Sequence, residues 1–402
     1  MTVTGMLSDI ERIGRDQKSG GYYRPVMSPA EQDLRAWFIG EAEQRGLDVD
    51  TDRNGIIWAW WGSPQAGSLV TGSHLDSVPG GGAFDGPLGV AAALGAVDVL
   101  RERGVQPERS LAIAVFPEEE GSRFGLACLG SRLLTGKISA DRARSLTDRE
   151  GDTLAEVLER GDIDPRHIGR DDEALGRIGR FIELHIEQGR GLIDLNHPVA
   201  VGSSVLGHGR WRVRVQGQGN HAGTTLMQDR ADPVVAAAAM VGAVAALARE
   251  VDDARATVGR FEPFPGGTNV IASEVNFWLD ARHLDDATTR ALIERIGAAC
   301  DEIAAAHGCT ATVSEESWSP TVGFDTGLTR ELVAALPGAP TLGTGAGHDA
   351  GILSEFVPSG MLFTRNPSGI SHSPEEYAED ADVDYSAIAL ADALHAVMRG
   401  MA

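Results

Sequence analysis

Four short apolar runs constrain this chain more than any other feature: SLVTGS (68–73), LAIAVFP (111–117), RFIELHIEQG (180–189) and GMLFTR (360–365). Their length and unbroken apolarity suit strands buried on both faces. A segment of helical character, GVAAALGAVDVLRERG (89–104), follows the first and ends at a Gly. Strands alternating with helices predict an α/β sheet covered on both faces. In such sheets ligands bind beyond the carboxyl ends of the strands. Those ends carry His and carboxylate residues here.

The middle of the chain has a different rhythm. RWRVRVQGQ (210–218) alternates apolar and polar residues, as a half-buried antiparallel strand does. An Ala-rich helix follows from about Pro233, then short strands at 256–261 and 274–282, a helix over 286–307 and the run CTATVSEES. The order strand–helix–strand–strand–helix–strand is that of a ferredoxin-like unit. The predicted fold is therefore α/β, a mixed-sheet catalytic domain with an inserted ferredoxin-like α+β lid or dimerisation domain. The expected boundaries are 1–207 and 321–402 for the catalytic domain and 208–320 for the insert. Residues 138–179 are polar and read as surface helices.

Composition excludes several alternatives. Asp and Glu number 58 against 35 Lys and Arg, a net charge of −23 that repels nucleic acid. The most apolar stretch, VVAAAAMVGAVAALA (234–248), is shorter than the roughly 20 residues a bilayer requires and reads as a buried amphipathic helix, so no membrane partner is expected. Three scattered cysteines, Cys128, Cys300 and Cys309, make neither a disulfide framework nor a thiolate zinc site. With acids where a signal peptide needs a basic start, the N-terminus fits a cytoplasmic protein.

The strand ends supply the chemistry. The first gives His74 and Asp76, with Asp85 beyond the glycine loop of TGSHLDSVPGGGAFDGPLG (71–89). The second gives Glu118, Glu119 and Glu120; the third gives His185 between Glu183 and Glu187; after the fourth comes GISHSPEE with His372. Singly, each has a plain explanation: a scaffold His, a solvated EEE loop, an Asp in a turn. Together they suit two divalent ions sharing a carboxylate, with a further carboxylate placed to take a proton from water.

The set TGSHLDSVPGGGAFDGPLG, FPEEEGSRFG, ELHIEQG, NHAGTT, GAGHDA and GISHSPEE resembles the amidase/hydantoinase/carbamoylase family of dinuclear-metal, metallopeptidase-like amidohydrolases, in the family's order over residues 71 to 376. The segments GGYYRPVMSPAEQDLRAWF and GRWRVRVQG are most similar to its allantoate amidohydrolases. The resemblance implies metal ligands at His74, Asp85, Glu120, His185 and His372, with Asp85 bridging, and an Asp76 that orients the His74 ring. The run EEE is ambiguous by spacing; the family pattern selects Glu119 as general base and Glu120 as ligand. A cis Asp85–Gly86 peptide is also a family habit.

From the insert, the resemblance implies that His221 of a neighbouring subunit stabilises an oxyanion, which makes the enzyme a homodimer. Asn269 and Arg282 would hold a substrate carboxylate, for which the planar guanidinium fork is suited. His348 would contact substrate on domain closure, and Gln188 is a further substrate contact. Two departures, Leu226-Met227 after NHAGTT and Ala272 in NVIAS, touch none of these residues. The expected cofactors are two zinc or manganese ions, with cobalt or nickel also suited. The expected reaction is hydrolysis of the ureido C–N bond of a small carboxylate-bearing substrate, releasing ammonia and carbon dioxide. Allantoate comes first, an N-carbamoyl-L-amino acid or N-carbamoyl-β-alanine second, and dipeptide or acyl-amide substrates last.

Overall fold

The structure, a computed structural model, describes residues 2–401. In chain order the strands are β1 (Asp48–Thr51), β2 (Ile57–Trp61), β3 (Ser68–His74), β4 (Leu111–Phe116), β5 (Ile178–Ile186), β6 (Val199–Val205), β7 (Gly207–Gln216), β8 (Asn220–His221), β9 (Arg255–Phe264), β10 (Val270–Ile271), β11 (Glu274–His283), β12 (Thr310–Ser319), β13 (Val322–Gly323), β14 (Thr341–Thr344) and β15 (Ser359–Thr364). The chain divides into two compact units: Met1–Val205 with Gly323–Ala402, and Leu206–Val322.

The first unit is built on a nine-stranded mixed sheet in the order β1-β2-β4-β3-β5-β15-β6-β13, with β14 beside β6. The central neighbours β4, β3, β5 and β15 are parallel to one another. Antiparallel pairing enters at β2 with β4 and at β6 with β15. Residues in β3, β4 and β15 are buried throughout, which is why they read as continuous apolar runs. The helix Pro87–Glu102 is buried nearly all round, packed with the helix Asp380–Gly400 in the main core. Its Ala and Gly residues allow that close approach.

The 138–179 region forms short helices with exposed charged faces, Ala140–Arg144, Leu154–Arg160 and Asp172–Arg177. The apolar faces of the first two, with the preceding helix Leu129–Thr135, enclose a small core of Leu133, Ile138, Ala143, Leu154, Val157 and Leu158. Each helix is too brief for its apolar residues to reveal a period, so the polar majority dominated the pattern.

The second unit has a four-stranded antiparallel sheet in the order β12-β7-β11-β9. Buried side chains alternate with exposed ones along most of β7 and with partly exposed ones along most of β11. The helices Pro233–Arg249 and Asp286–Ala306 pack on the buried face around Val213, Val215, Phe277 and Leu279. The 233–249 helix is therefore buried on one face, as an amphipathic helix is. Ala236, Met240 and Val244 face the core while Val235 is exposed, because the sheet covers only one side of it. Among the described residues no helix is long and apolar enough to cross a membrane.

Candidate metal centre

The parallel strands deliver their carboxyl ends to one place. His74 is the last residue of β3, and His185 lies one residue from the end of β5. Glu118, Glu119 and Glu120 follow β4, and His372 lies on the loop after β15. Asp85 returns at the foot of the helix that starts at Pro87. That return turns at Gly86, whose φ is +86° and whose missing Cβ leaves room for the His74 ring. The Asp85–Gly86 peptide is not cis; the turn is made by that positive φ instead.

Two groups of donor atoms converge, His74–Asp85–His185 and Asp85–Glu120–His372, each with its atoms within 4.8 Å of one another. Asp85 serves both. Its Oδ1 lies 3.5 Å from His74 Nε2 and 3.1 Å from His185 Nε2, while its Oδ2 lies 3.3 Å from His372 Nε2. The Oε2 of Glu120 is 3.4 Å from the same His372 nitrogen. On the other side of the buried rings, His74 Nδ1 meets the Asp76 carbonyl at 3.0 Å and His185 Nδ1 meets the Ile186 carbonyl at 2.9 Å. A carbonyl can only accept, so both rings carry an N–H at Nδ1 and turn Nε2 inward, the nitrogen a metal ion would take. His74 Nε2 and Glu120 Oε1 are buried without a hydrogen-bond partner among the described residues, which fits atoms kept for an ion.

Asp76 meets the His74 ring with both its side chain and its main chain. Its carboxylate stands 3.6 Å from His74 Nδ1, and the ring is bonded instead to its backbone carbonyl. The carboxylate accepts the backbone N–H groups of Glu119 and Glu120, at 3.1 Å each. The carbonyl is the nearer of the two groups to the ring, and the carboxylate beside it also sets the EEE turn.

Glu119 lies with Oε2 3.8 Å from His74 Nε2 and Oε1 3.4 Å from the Cys128 thiol, which donates to it. Burial pushes the Glu119 carboxyl well above the usual carboxylate range; His74 opposes this, while Asp349, Glu120 and Glu183 reinforce it. Burial and then the Asp85 charge raise Glu120 to about 7. Hydrogen bonding to Asp85 and the Glu120 charge raise His372 to about 9 against the pull of burial. The cluster is thus strongly electronegative and suited to cations. Glu118 faces away, its Oε1 accepting the N–H groups of Arg123 (2.9 Å) and Phe124 (2.7 Å), so it closes the loop that returns Cys128. Glu187 accepts the N–H groups of Gly191 and Leu192, and Glu183 accepts from Ser73 and from the Ala350 N–H.

Gln188 reaches the centre, its Nε2 2.8 Å from Asp85 Oδ2 and 3.2 Å from His372 Nε2. The His348 ring packs on the His185 ring at a centroid separation of 4.5 Å and is 2% exposed. His348 belongs to the same unit as the cluster. Burial holds its pKa well below the usual His value, with the His185 charge acting the same way.

In the second unit, His221 and Asn269 are neighbours. The β8–β10 ladder pairs His221 with Val270, and the Asn269 carbonyl accepts the Ala222 N–H at 3.1 Å. His221 Nδ1 accepts the Gly223 N–H at 3.1 Å, which leaves Nε2 as the outward donor. Arg282 is not brought to them. It sits opposite His208 on β11, roughly 26 Å along the strand from Glu274, the end nearer the ladder. Its guanidinium forks the Asp280 carboxylate at 2.7 and 3.0 Å.

Two contributors escaped the sequence reading, Glu376 and Ser371. Glu376 Oε1 accepts the Phe84 and Asp85 N–H groups at 2.9 and 3.0 Å, and Ser371 Oγ lies 3.0 Å from Glu376 Oε2 and 3.2 Å from Asp85 Oδ2. Both stand in GISHSPEE, but an acid pair after Pro reads as a solvated loop, and nothing local pairs it with residue 85.

Residues 70–396 match the peptidase family M20/M25/M40. An N-carbamoyl-L-amino-acid amidohydrolase of Pseudomonas sp. (strain NS671) is 34% identical over 385 residues, 93% of each chain. An allantoate amidohydrolase of Bacillus subtilis (strain 168) is 31% identical over 389 residues, 94% of this chain and 92% of that one. The crystal structure of a hydantoinase/carbamoylase family amidase from Burkholderia multivorans superposes with a TM-score of 0.85 at 30% identity, over 98% of this chain and 96% of the other. Family match, relatives and fold agree with the donor geometry: the chain belongs to peptidase family M20/M25/M40 and is an amidohydrolase of its carbamoylase and allantoate-hydrolase group.

Proposed function

We propose that this amidohydrolase cleaves the ureido C–N bond of a small carboxylate-bearing molecule, with allantoate the first candidate substrate. The observation that carries the reading is the pair of donor groups sharing Asp85, with Glu119 Oε2 beside them. The proposed ligands are His74, Asp85 and His185 for one divalent ion and Asp85, Glu120 and His372 for the other, with zinc or manganese as the ions. When bound, such ions supply Lewis acidity toward water and the substrate carbonyl. Glu119 takes the proton of the attacking water and passes it to the leaving nitrogen, its geometry held by Asp76 and Cys128. His221 donates from Nε2 to the oxyanion as it develops. Arg282, Asn269 and Gln188 hold the substrate, and His348 buttresses His185.

The separation of Arg282 from Asn269 within one chain favours a homodimer, in which His221 and Asn269 serve the site of a second copy. The second unit supports this. Its sheet ends on β9, an exposed edge of ten residues carrying Phe261 and Phe264, beside a helix whose outer side is apolar. An exposed edge strand of this length offers unpaired backbone groups to a second chain. A cytoplasmic location agrees with three buried, unpaired cysteines.

The 34% identity to an N-carbamoyl-L-amino-acid amidohydrolase favours a second reading, in which an N-carbamoyl-L-amino acid is the substrate. An ammonia-release panel decides: allantoate, N-carbamoyl-β-alanine, several N-carbamoyl-L-amino acids and a dipeptide, each with zinc and with manganese. Ammonia from the ureido compounds with no dipeptide cleavage supports the proposal. Dipeptide cleavage alone overturns it.

A further inference from the structure

We propose that Glu376 is a positioning residue that clasps the Asp85 loop to the His372 loop, and that the second ion site exists only while this clasp is closed. The inference rests on the two-ion reading above. The two donor groups are built differently. In the first, His74 and His185 are anchored within strands, fully buried, and each ring is tied to a main-chain carbonyl beside it. In the second, Asp85 and His372 both come from loops. The His372 side chain is 49% exposed, and its backbone holds a φ of +56°, a conformation a non-glycine residue keeps only when its surroundings enforce it.

Glu376 supplies that enforcement. It is 5% exposed and only four residues beyond His372. One oxygen accepts two successive N–H groups, those of Phe84 and Asp85, and the other is 3.0 Å from the Ser371 hydroxyl. Gly82 makes room for it, since a Cβ there would collide with the Glu376 carboxyl. A carboxylate bonded to backbone N–H groups is a strong, directional tether. It fixes the Asp85 main chain, and through Ser371 it fixes the start of the His372 turn. Asp85 Oδ2, the oxygen that faces His372, is also the one 3.2 Å from Ser371 Oγ. Opening the clasp therefore displaces both loop-borne ligands of the second group, while the first keeps two strand-borne histidines.

The test is metal uptake. Protein stripped by a chelator is titrated with Co²⁺ alone, followed by calorimetry and visible absorption, for the wild type and Glu376→Ala. Thermal unfolding of the stripped forms is recorded in parallel. The wild type should take up two ions. Glu376→Ala should hold the first within about threefold of the wild type and bind the second at least about tenfold more weakly, the scale seen when groups supporting ligands are removed. Both steps unchanged, or both weakened alike alongside a lowered unfolding temperature, would overturn the inference. Glu376→Gln covers the case in which the Ala variant does not fold. It keeps an oxygen for the Phe84 and Asp85 N–H groups and loses the acceptor facing Ser371, so its second uptake should fall between the two; wild-type uptake would overturn the inference. Fewer than two ions on the wild type ends the two-ion reading and this inference with it. Two ions there and an unaltered second step in Glu376→Ala end this inference alone.

Discussion

The Asp76 carboxylate holds Glu119 by its backbone, accepting the Glu119 N–H on Oδ1 while Oδ2 accepts the N–H of Glu120. A residue two positions from His74 thus controls the acid segment after a different strand. Substituting Asp76→Ala removes both acceptors but retains the carbonyl that orients His74. Turnover should fall by about tenfold or more, the scale for removing a supporting partner, with ion binding by the His74–Asp85–His185 group preserved. Kinetics combined with ion content measures this. Loss of that ion would return Asp76 to the role of His74 orienter.

Glu119→Gln keeps the shape of the proposed base and its contact to Cys128 but cannot take a proton. Ion content should stay at two per chain while kcat falls by about 10²–10⁴, the contribution of a positioned base. Retained turnover would end the assignment.

Arg282 and His221 can be tested by complementation. Arg282→Ala and His221→Ala should each be nearly inactive as pure proteins. If each site combines Arg282 of one copy with His221 of the other, mixed dimers hold one intact site. A random equal mixture from co-expression should then recover about a quarter of wild-type activity, as two-fold symmetry requires. No recovery would show that one copy supplies both residues.

Asp52 gives a pH signature away from the centre. It is partly buried in the turn between β1 and β2, accepting from the N–H groups of Asn54 and Ile56 and from Trp58 Nε1, and desolvation of its carboxyl raises it to about 6 from 3.8. The folded state therefore holds this proton more tightly than the unfolded chain. The associated stability is present below about pH 4 and lost as pH rises through about 6. Against Asp52→Asn, wild-type unfolding free energy should decline by up to about 3 kcal/mol between pH 4 and 7, from about two pKa units at 1.36 kcal/mol each. Urea titrations across that range check it; a constant difference would show that the carboxyl titrates normally.

The chain's local patterns determined which strands exist and what they carry. Buried parallel strands must be apolar on both faces, so SLVTGS, LAIAVFP and GMLFTR stand out, and the polar residues at their ends are conspicuous. His74, His185, His372 and the acids Asp85 and Glu120 were legible for that reason. The outer strands β1, β2, β6 and β14 were not, since they are short or lack a turn signal of their own.

Tertiary structure alone decided how those residues share work. Asp85 divides its two oxygens between the donor groups, the Asp76 carboxylate holds the Glu119 and Glu120 N–H groups, and Glu376 reaches back across 291 positions to the Asp85 N–H. It also set Arg282 apart from Asn269 and placed His348 against His185. Residue type and periodicity report what a segment buries, but a hydrogen bond between distant loops depends on sheet order and strand register, which no local pattern encodes.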